Sequence, residues 1–280
     1  MESLRSRHIV SASRRTDIPA FFGNEFVEML KSGHATVRSP FGGKTYAVNL
    51  RPDAVSCFVF WSKNFQPFFP VLDVLDKRGD ALYFLCTITG LAQGGTKPLE
   101  PGVPDPKIAT GTLMELSRRY SPKQVAWRFD PVIFSNRTPV GYWLDMFAEL
   151  ATELHSHVHR CIFSFCDYYK KVPRQMARAG LSDWEFRDGS PKEKLELVEG
   201  LLEIAGRYGL RMETCCEDAW AIRNVRRGSC VDAPYLAGIF PDRLVPQHHR
   251  PTRKECGCWE SRDIGAYATC KAACPYCYAR

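Results

Sequence analysis

The strongest constraint on this chain is a repeated order: an apolar, β-branched run, then a stretch with helical spacing. The runs are His8-Ile9-Val10-Ser11-Ala12, Cys57-Phe58-Val59-Phe60-Trp61, Leu82-Tyr83-Phe84-Leu85-Cys86-Thr87-Ile88, Gln124-Val125-Ala126-Trp127-Arg128-Phe129, Arg160-Cys161-Ile162-Phe163-Ser164-Phe165 and Leu210-Arg211-Met212-Glu213-Thr214. Helical patterns cover 25–31, 68–77, 106–120, 139–155 and 192–208, the last opened by Ser190-Pro191 as cap and first-turn proline. Residues 36–38 and 46–50 read as a short hairpin around Gly42-Gly43. Strands alternating with helices make βα units and a parallel sheet. The expected fold is α/β: a partial (β/α)6 TIM-like barrel over 1–214, with an irregular cysteine-rich segment, 215–280, packed on it and closing the barrel mouth. A full eight-stranded barrel is the alternative. In either, chemistry belongs at the carboxyl ends of the strands.

A chain of 280 residues, 45% hydrophobic, can bury a sizeable core as one large domain or one domain with an appendage. It has no run of 18 apolar residues, which excludes a membrane-spanning helix. Its opening, Met1-Glu2-Ser3-Leu4-Arg5-Ser6-Arg7, lacks the apolar stretch of a signal peptide, so a cytoplasmic location is expected. Twelve cysteines in such a chain argue for metal binding or catalysis over a disulfide framework. Cys57, Cys86, Cys161 and Cys166 lie in strand-like runs and read as small core residues; the other eight lie from Cys215 onward. A net charge of +7 is compatible with an anionic substrate or a nucleic acid. No phosphate-binding G-x-x-x-x-G-K-[ST] loop and no G-x-S-x-G nucleophile elbow is present.

Cys270, Cys274 and Cys277 stand at C-x3-C-x2-C spacing with Tyr276 before the last. Three thiols so close suit a loop wrapped around one small object. Thiolates select iron–sulfur clusters, zinc or copper(I). A cubane takes four ligands, so three cysteines leave one iron open to another ligand. A structural zinc knot is the competing reading. Cys215, Cys230, Cys256 and Cys258 remain, and together make a possible second four-thiolate site for a [4Fe–4S] cluster or zinc. Cys216 could replace Cys215, or one of the four could close the first cluster. His155, His157 and His159 read as a solvated turn, and His248-His249 as a polar loop.

Polar residues gather where the strands end. The first is followed by Arg14, Arg15 and Asp17, able to bind an anionic group; the second by Lys63 and Asn64, able to reach a phosphate or carboxylate. Thr87 and Thr89 share one face, as do Arg128 and Asp130, a charged pair leaving an apolar strand. Tyr168 and Tyr169 could stack on a base.

The triplet with its aromatic resembles the cluster loop of radical S-adenosylmethionine (SAM) enzymes. The whole chain resembles an uncharacterised prokaryotic family, domain of unknown function 1848, which is noted for a C-terminal cysteine cluster of that kind. The resemblance rests on S-A-S-R-R-T-D-I-P-A-F (11–21), F-W-S-K-N (60–64), R-F-D-P (128–131), G-S-C-V-D (228–232) and the tail C-G-C-W-x2-S-x-D-I-G-x-Y-x-T-C-x3-C-x2-C-Y-A. W-S-K-N and R-F-D-P are also similar to segments of the spore photoproduct lyase branch. The resemblance implies a [4Fe–4S] cluster held by Cys270, Cys274 and Cys277, with SAM on the fourth iron. From their places at the strand ends and in the cysteine loop, Arg14, Asp17, Asn64 and Tyr276 are expected to serve cofactor binding, and Lys63, Arg128 and Asp130 the reacting substrate. The chain departs from that superfamily in placing the loop after the barrel, with three residues beyond Cys277, and in lacking a clear Gly-Gly-Glu segment for the SAM amine. Such a tail would lie beside the first strand and present its cluster to the same mouth. The expected function is an iron–sulfur enzyme of radical SAM type. It would act on a small-molecule or nucleic-acid-derived substrate, with an electron donor such as a flavodoxin or ferredoxin and no membrane. The alternatives are a non-radical iron–sulfur or zinc protein that binds nucleic acid, and a metal-stapled structural barrel.

Overall fold

The structure, a computed structural model, describes residues 7–39, 42–243 and 245–280; the amino-terminal reading above rests on residues 1–6 and lies outside them. The chain runs β1 (His8–Ala12), α1 (Ile18–Phe21), α2 (Gly23–Ser32), β2 (His34–Arg38), β3 (Thr45–Asn49), β4 (Val55–Ser62), α3 (Phe69–Arg78) and β5 (Leu82–Thr87). It continues α4 (Pro106–Arg119), β6 (Val125–Val132), α5 (Val140–Leu154), β7 (Arg160–Phe165), α6 (Val172–Arg178), α7 (Pro191–Arg207), β8 (Arg211–Thr214), β9 (Arg226–Arg227), α8 (Ala233–Ile239) and β10 (Arg262–Asp263).

Eight strands form one sheet in the order β10-β1-β4-β5-β6-β7-β8-β9. The pairings of β1 with β10 and β4, of β7 with β6 and β8, and of β8 with β9 are all parallel. The fold is mixed α/β, a large parallel sheet with flanking helices. The six expected strands are all present. Two more, β9 and β10, are two residues each, too short for any periodicity to mark them. β10 matters most. A segment read as irregular lies parallel to β1, with Arg262 opposite Val10 and Asp263 opposite Ser11.

The middle strands show why the sequence reads as unbroken apolar runs. Every residue of β4 and of β5 is buried, as befits parallel strands covered on both faces.

By compactness the chain falls into two units. The first takes the described residues up to Leu85, with Ser229–Lys271 and Ala279. The pairing of β10 with β1 is what draws the late segment into it. Its core centres on Phe26 of α2, edge-on to Phe58 and Phe60 of β4 at 5.7 Å each. Such aromatic pairs add about 0.5–1.5 kcal/mol beyond the area they bury.

The second unit takes Cys86–Gly228, Ala272–Tyr278 and Arg280. Its core stacks Trp127 on Phe147 at 4.9 Å and sets Phe129 edge-on to Trp143 at 5.5 Å. Both indoles find carbonyls: Trp127 Nε1 donates to Ile88 O and Trp143 Nε1 to Ile133 O. α7 begins with a full capping box between Ser190 and Glu193.

Candidate functional site

In the first unit, one carboxylate organises the end of β1. Asp263 closes β10, and its oxygens accept five hydrogen bonds at 2.8–2.9 Å: from Ser11 Oγ, Ser13 Oγ, the Arg14 amide, Arg15 Nε and the Gly265 amide. Arg15 adds a bond from Nη2 to the Asp263 carbonyl. Burial works to raise this carboxyl; the Arg14 amide and the Arg15 guanidinium outweigh it, so its pKa lies below the ordinary value. Gly265 permits the approach: a Cβ there would lie 1.8 Å from Ser13 Oγ.

Asp17 is differently employed. It caps α1 by accepting from the Ala20 amide at 3.0 Å, and takes Ser62 Oγ at 2.6 Å and the Lys63 amide at 3.0 Å. Burial pushes its pKa up to about 6, against the pull of those three donors. Asn64 accepts from the Gln66 amide through its side-chain oxygen, and its own amide donates to Ser62 Oγ. Lys63 is half-buried at the end of the same turn. These residues therefore build the turn after β4.

Three thiols of this unit converge. Cys230, Cys256 and Cys258 are 5%, 8% and 4% exposed, and Cys258 hydrogen-bonds to both of the others. Two short irregular segments hold them. Ser229 Oγ donates to Gly257 O at 2.6 Å, and the Trp259 amide donates to Val231 O at 3.0 Å. The Val231 amide points at Cys258 Sγ at 3.5 Å, and Thr252 Oγ1 lies 3.5 Å from Cys256 Sγ. The Arg14 guanidinium sits over the Trp61 ring, 5.2 Å from its centroid. Burial works to lower its pKa, but Cys258, Asp263, Cys230 and Cys256 hold it above the ordinary value.

In the second unit, residues 272–278 are pinned at the carboxyl ends of strands. Tyr276 is buried and its hydroxyl donates to Glu100 Oε1, which also accepts from Thr89 Oγ1 at 3.0 Å. Burial, with Cys274 and Glu100 nearby, pushes the Tyr276 phenol well up. The Gly102 amide donates to Ala272 O at 3.0 Å. A Cβ on Gly102 would lie 2.8 Å from Ala272 backbone atoms. Lys171 Nζ donates to the carbonyls of Tyr278 and Arg280. Cys274 is buried and Cys277 half-buried, and the Cys277 amide donates to Cys274 O at 3.1 Å.

Arg128 and Asp130 of β6 pair with each other, and Ser164 of β7 donates to the second carboxylate oxygen. Just beyond β7 lies Cys166, its thiol pushed up to about 12 by burial first, then by Asp167, Asp130 and Cys277. Asp130 and Cys277 thus both act on one thiol at the end of β7.

Of the seven candidate metal ligands, the structure gathers Cys230, Cys256 and Cys258 in one unit, and sets Cys274 and Cys277 together in the other. Cys270 belongs to the first unit; Cys215 stands 4.0 Å from Cys216 in the second. Among the described residues, no group of three or more His, Cys, Asp or Glu is placed so as to hold a metal ion. Sequence reasoning missed Asp263, Glu100 and Ser164. Asp263 had a signal, since it opens the D-I-G of the tail pattern with the close-approach glycine two residues on. Glu100 had none, lying in a Gly/Pro-rich loop.

Fold and sites together define an α/β protein with a large parallel sheet and two thiol-bearing segments. The chain belongs to the family described as Domain of unknown function (DUF1848), whose model matches residues 9–279. Among curated proteins nothing matches the chain. Among solved structures, Thermotoga maritima Cel5A in complex with a mannotriose substrate is similar at 14% identity and a TM-score of 0.29, covering 95% of this chain and 93% of that one.

Proposed function

We propose that this protein is an iron–sulfur enzyme of radical SAM type, built on a partial βα barrel, with Cys270, Cys274 and Cys277 as cluster ligands. The observation that carries the reading is the anchoring of residues 272–278 where strands of the second unit end. Tyr276 is tied to Glu100, Gly102 to Ala272, and Cys277 acts on the same thiol as Asp130. In α/β sheets, ligands bind outside the carboxyl ends of the strands. The donor set suits the group: the three cysteines are not joined in disulfides, Cys274 is buried and the other two half-buried, and thiolates are the usual ligands of such clusters. When bound, the cluster supplies one electron for reductive cleavage of SAM and so begins radical chemistry on a substrate.

The chain's own residues do the rest. Tyr276 and Gly102 fix the loop and keep water from it. Arg128 offers a guanidinium at the strand ends, and its pairing with Asp130, itself steadied by Ser164, sets its direction. Lys63 and Asn64, with Arg14 and Asp17, are the corresponding candidates for an anionic group in the first unit. The reading brings an electron donor such as a flavodoxin or ferredoxin, a small-molecule or nucleic-acid-derived substrate, and a cytoplasmic setting. Among the described residues no helix is long and apolar enough to cross a membrane.

The test is anaerobic reconstitution, with iron and sulfide counted, then SAM and a strong reductant. Formation of 5′-deoxyadenosine that is lost in Cys274→Ser supports the reading; an intact cluster that yields none sinks it. A second reading, a metal-bearing nucleic-acid-binding protein without radical chemistry, is favoured by one observation. Tyr169 and Tyr278 are both exposed, their ring centroids 6.3 Å apart, beside the Lys171 anchor. Exposed aromatics next to cations bind single strands by stacking. Salt-sensitive binding of single-stranded DNA or RNA, lost in Tyr169→Ser, with no SAM affinity, would select it.

A further inference from the structure

We propose that Cys215 and Cys216 form a vicinal dithiol that small-molecule disulfides oxidise reversibly to a disulfide between neighbours, a modification site at the carboxyl end of β8. The pair lies in the second unit and outside the tail triplet, so this proposal and the cluster reading can fail separately.

Backbone geometry normally keeps adjacent side chains apart. In extended chain, successive side chains point to opposite faces. Cys215 directly follows Thr214, the last residue of β8, and its amide still donates across to Phe163 O at 2.9 Å. Cys216 breaks the alternation. Its φ of +58° lies in the left-handed region, which a residue with a side chain seldom takes. The two sulfurs stand 4.0 Å apart. Backbone outliers of this kind gather at functional sites, where the surrounding structure holds them in place. Here the turn is held on both sides. The Gly228 amide donates to Thr214 O at 2.8 Å, and Glu217 accepts from the Phe165 amide at 3.2 Å.

Access separates this pair from the core thiols. Cys57, Cys86 and Cys161 are buried, whereas Cys215 and Cys216 are both half-buried, and exposure is one condition of thiol reactivity. The step is thiol–disulfide exchange. One cysteine sulfur, as thiolate, attacks the incoming disulfide, forms a mixed disulfide and releases one small thiol. The neighbouring sulfur, already beside it, displaces the second small thiol and closes the ring. The protein gives up two hydrogens and two electrons, and the small disulfide takes them up as two thiols. The closed ring is easily reopened. Adjacent Cα atoms lie about 3.8 Å apart across a trans peptide, nearer than the usual disulfide span of about 4.4–6.8 Å, and strained disulfides are the labile ones. Closure turns Cys216 and shifts its neighbour Glu217. Glu217 holds the Phe165 amide, and the Phe165 ring meets Trp220 edge-on at 6.0 Å. Oxidation is therefore felt at the carboxyl end of β7, next to Ser164 and its bond to Asp130.

Glutathione disulfide is the probe. Residues 212–223, bounded by Arg211 and Arg223, form one tryptic peptide that holds both cysteines and no other. The full chain, reduced and kept anaerobic, is exposed to the probe, alkylated, digested and weighed by mass spectrometry. The peptide is expected unalkylated and lighter by two hydrogens, and doubly alkylated again after dithiothreitol. Cys270→Ser/Cys274→Ser/Cys277→Ser is expected to behave alike. Cys215→Ser and Cys216→Ser each remove the displacing thiol, so glutathione is expected to stay on the remaining cysteine of at least one of them. The proposal is overturned if the peptide of the unaltered chain stays doubly alkylated, keeps glutathione, or is found joined to another cysteine peptide, or if neither single variant keeps an adduct. Amide exchange at Phe165 is expected to quicken on oxidation; unchanged exchange there overturns the part given to Glu217.

Discussion

The two thiol-bearing segments differ in what surrounds the sulfur. In the first unit, Cys230, Cys256 and Cys258 have an amide, a hydroxyl and a guanidinium turned toward them. In the second, the neighbours of Cys274 and Cys277 are acidic or phenolic: Tyr276, Glu100 behind it, and Cys166 with Asp130. In the first, hydrogen bonding with Cys230 and Cys256, together with burial, pushes the Cys258 thiol well up, and Arg14 pulls the other way. The second grips its loop through backbone and Tyr276 rather than through sulfur. Proximity of cysteines in sequence is thus a poor guide to how a site is held: the pattern that reads most clearly, 270–277, is secured by residues far from it in the chain.

The largest effect is expected where the first segment is fastened. Asp263→Ala removes the acceptor of five bonds and leaves Arg15, 7% exposed, without its carboxylate. Breaking a buried ion pair from one side costs about 3–5 kcal/mol, measured by denaturant unfolding. Because the folded pKa of Asp263 is lowered, its contribution is present above the ordinary carboxylate range and fades as pH falls through that lowered value. The loss in Asp263→Ala should therefore shrink in acid; a constant loss would mean that packing, not charge, fastens β10.

Asp17, in the same unit, should behave in the opposite sense. Its folded pKa is raised from 3.8 to about 6. Its contribution is full below about pH 4 and is lost as pH rises to about 6, by about 3 kcal/mol from the size of the shift. Asp17→Asn should flatten the fall in stability over that window. If the slope is unchanged, the difference drawn between a carboxylate with a guanidinium partner and one without is broken.

The βα order was legible because β4 and β5, buried along their whole length, write themselves as continuous apolar runs. β10 was not, because a two-residue strand has no period, and only its pairing with Val10 and Ser11 defines it. The charged residues at strand ends were legible as types, and the structure adds their partners. Asp17, expected to serve cofactor binding, accepts from Ser62, Lys63 and Ala20. Arg128 and Asp130 were expected to share a face, and the structure adds Ser164 as the third member. Of the four thiols left over from the tail, spacing alone could not separate Cys215 from the three that meet. That separation depends on Ser229 and Val231 running beside Gly257 and Trp259.

The smallest effect is the most informative about the second segment. Tyr276→Phe keeps the buried ring and removes one donor from Glu100, which is 2% exposed and still accepts from Thr89. Losing one hydrogen bond to a buried charged acceptor costs about 1–3 kcal/mol, less than the loss of Asp263 because no partner cation is stranded. The cost should fall locally. Amide exchange should quicken at Gly102 and Cys277, whose bonds to Ala272 O and Cys274 O hold the loop, while the Val231 and Trp259 amides of the first unit stay protected. If instead both sets quicken together, the two segments open as one cooperative body, and the contrast between a site held at sulfur and a site held at backbone would not survive.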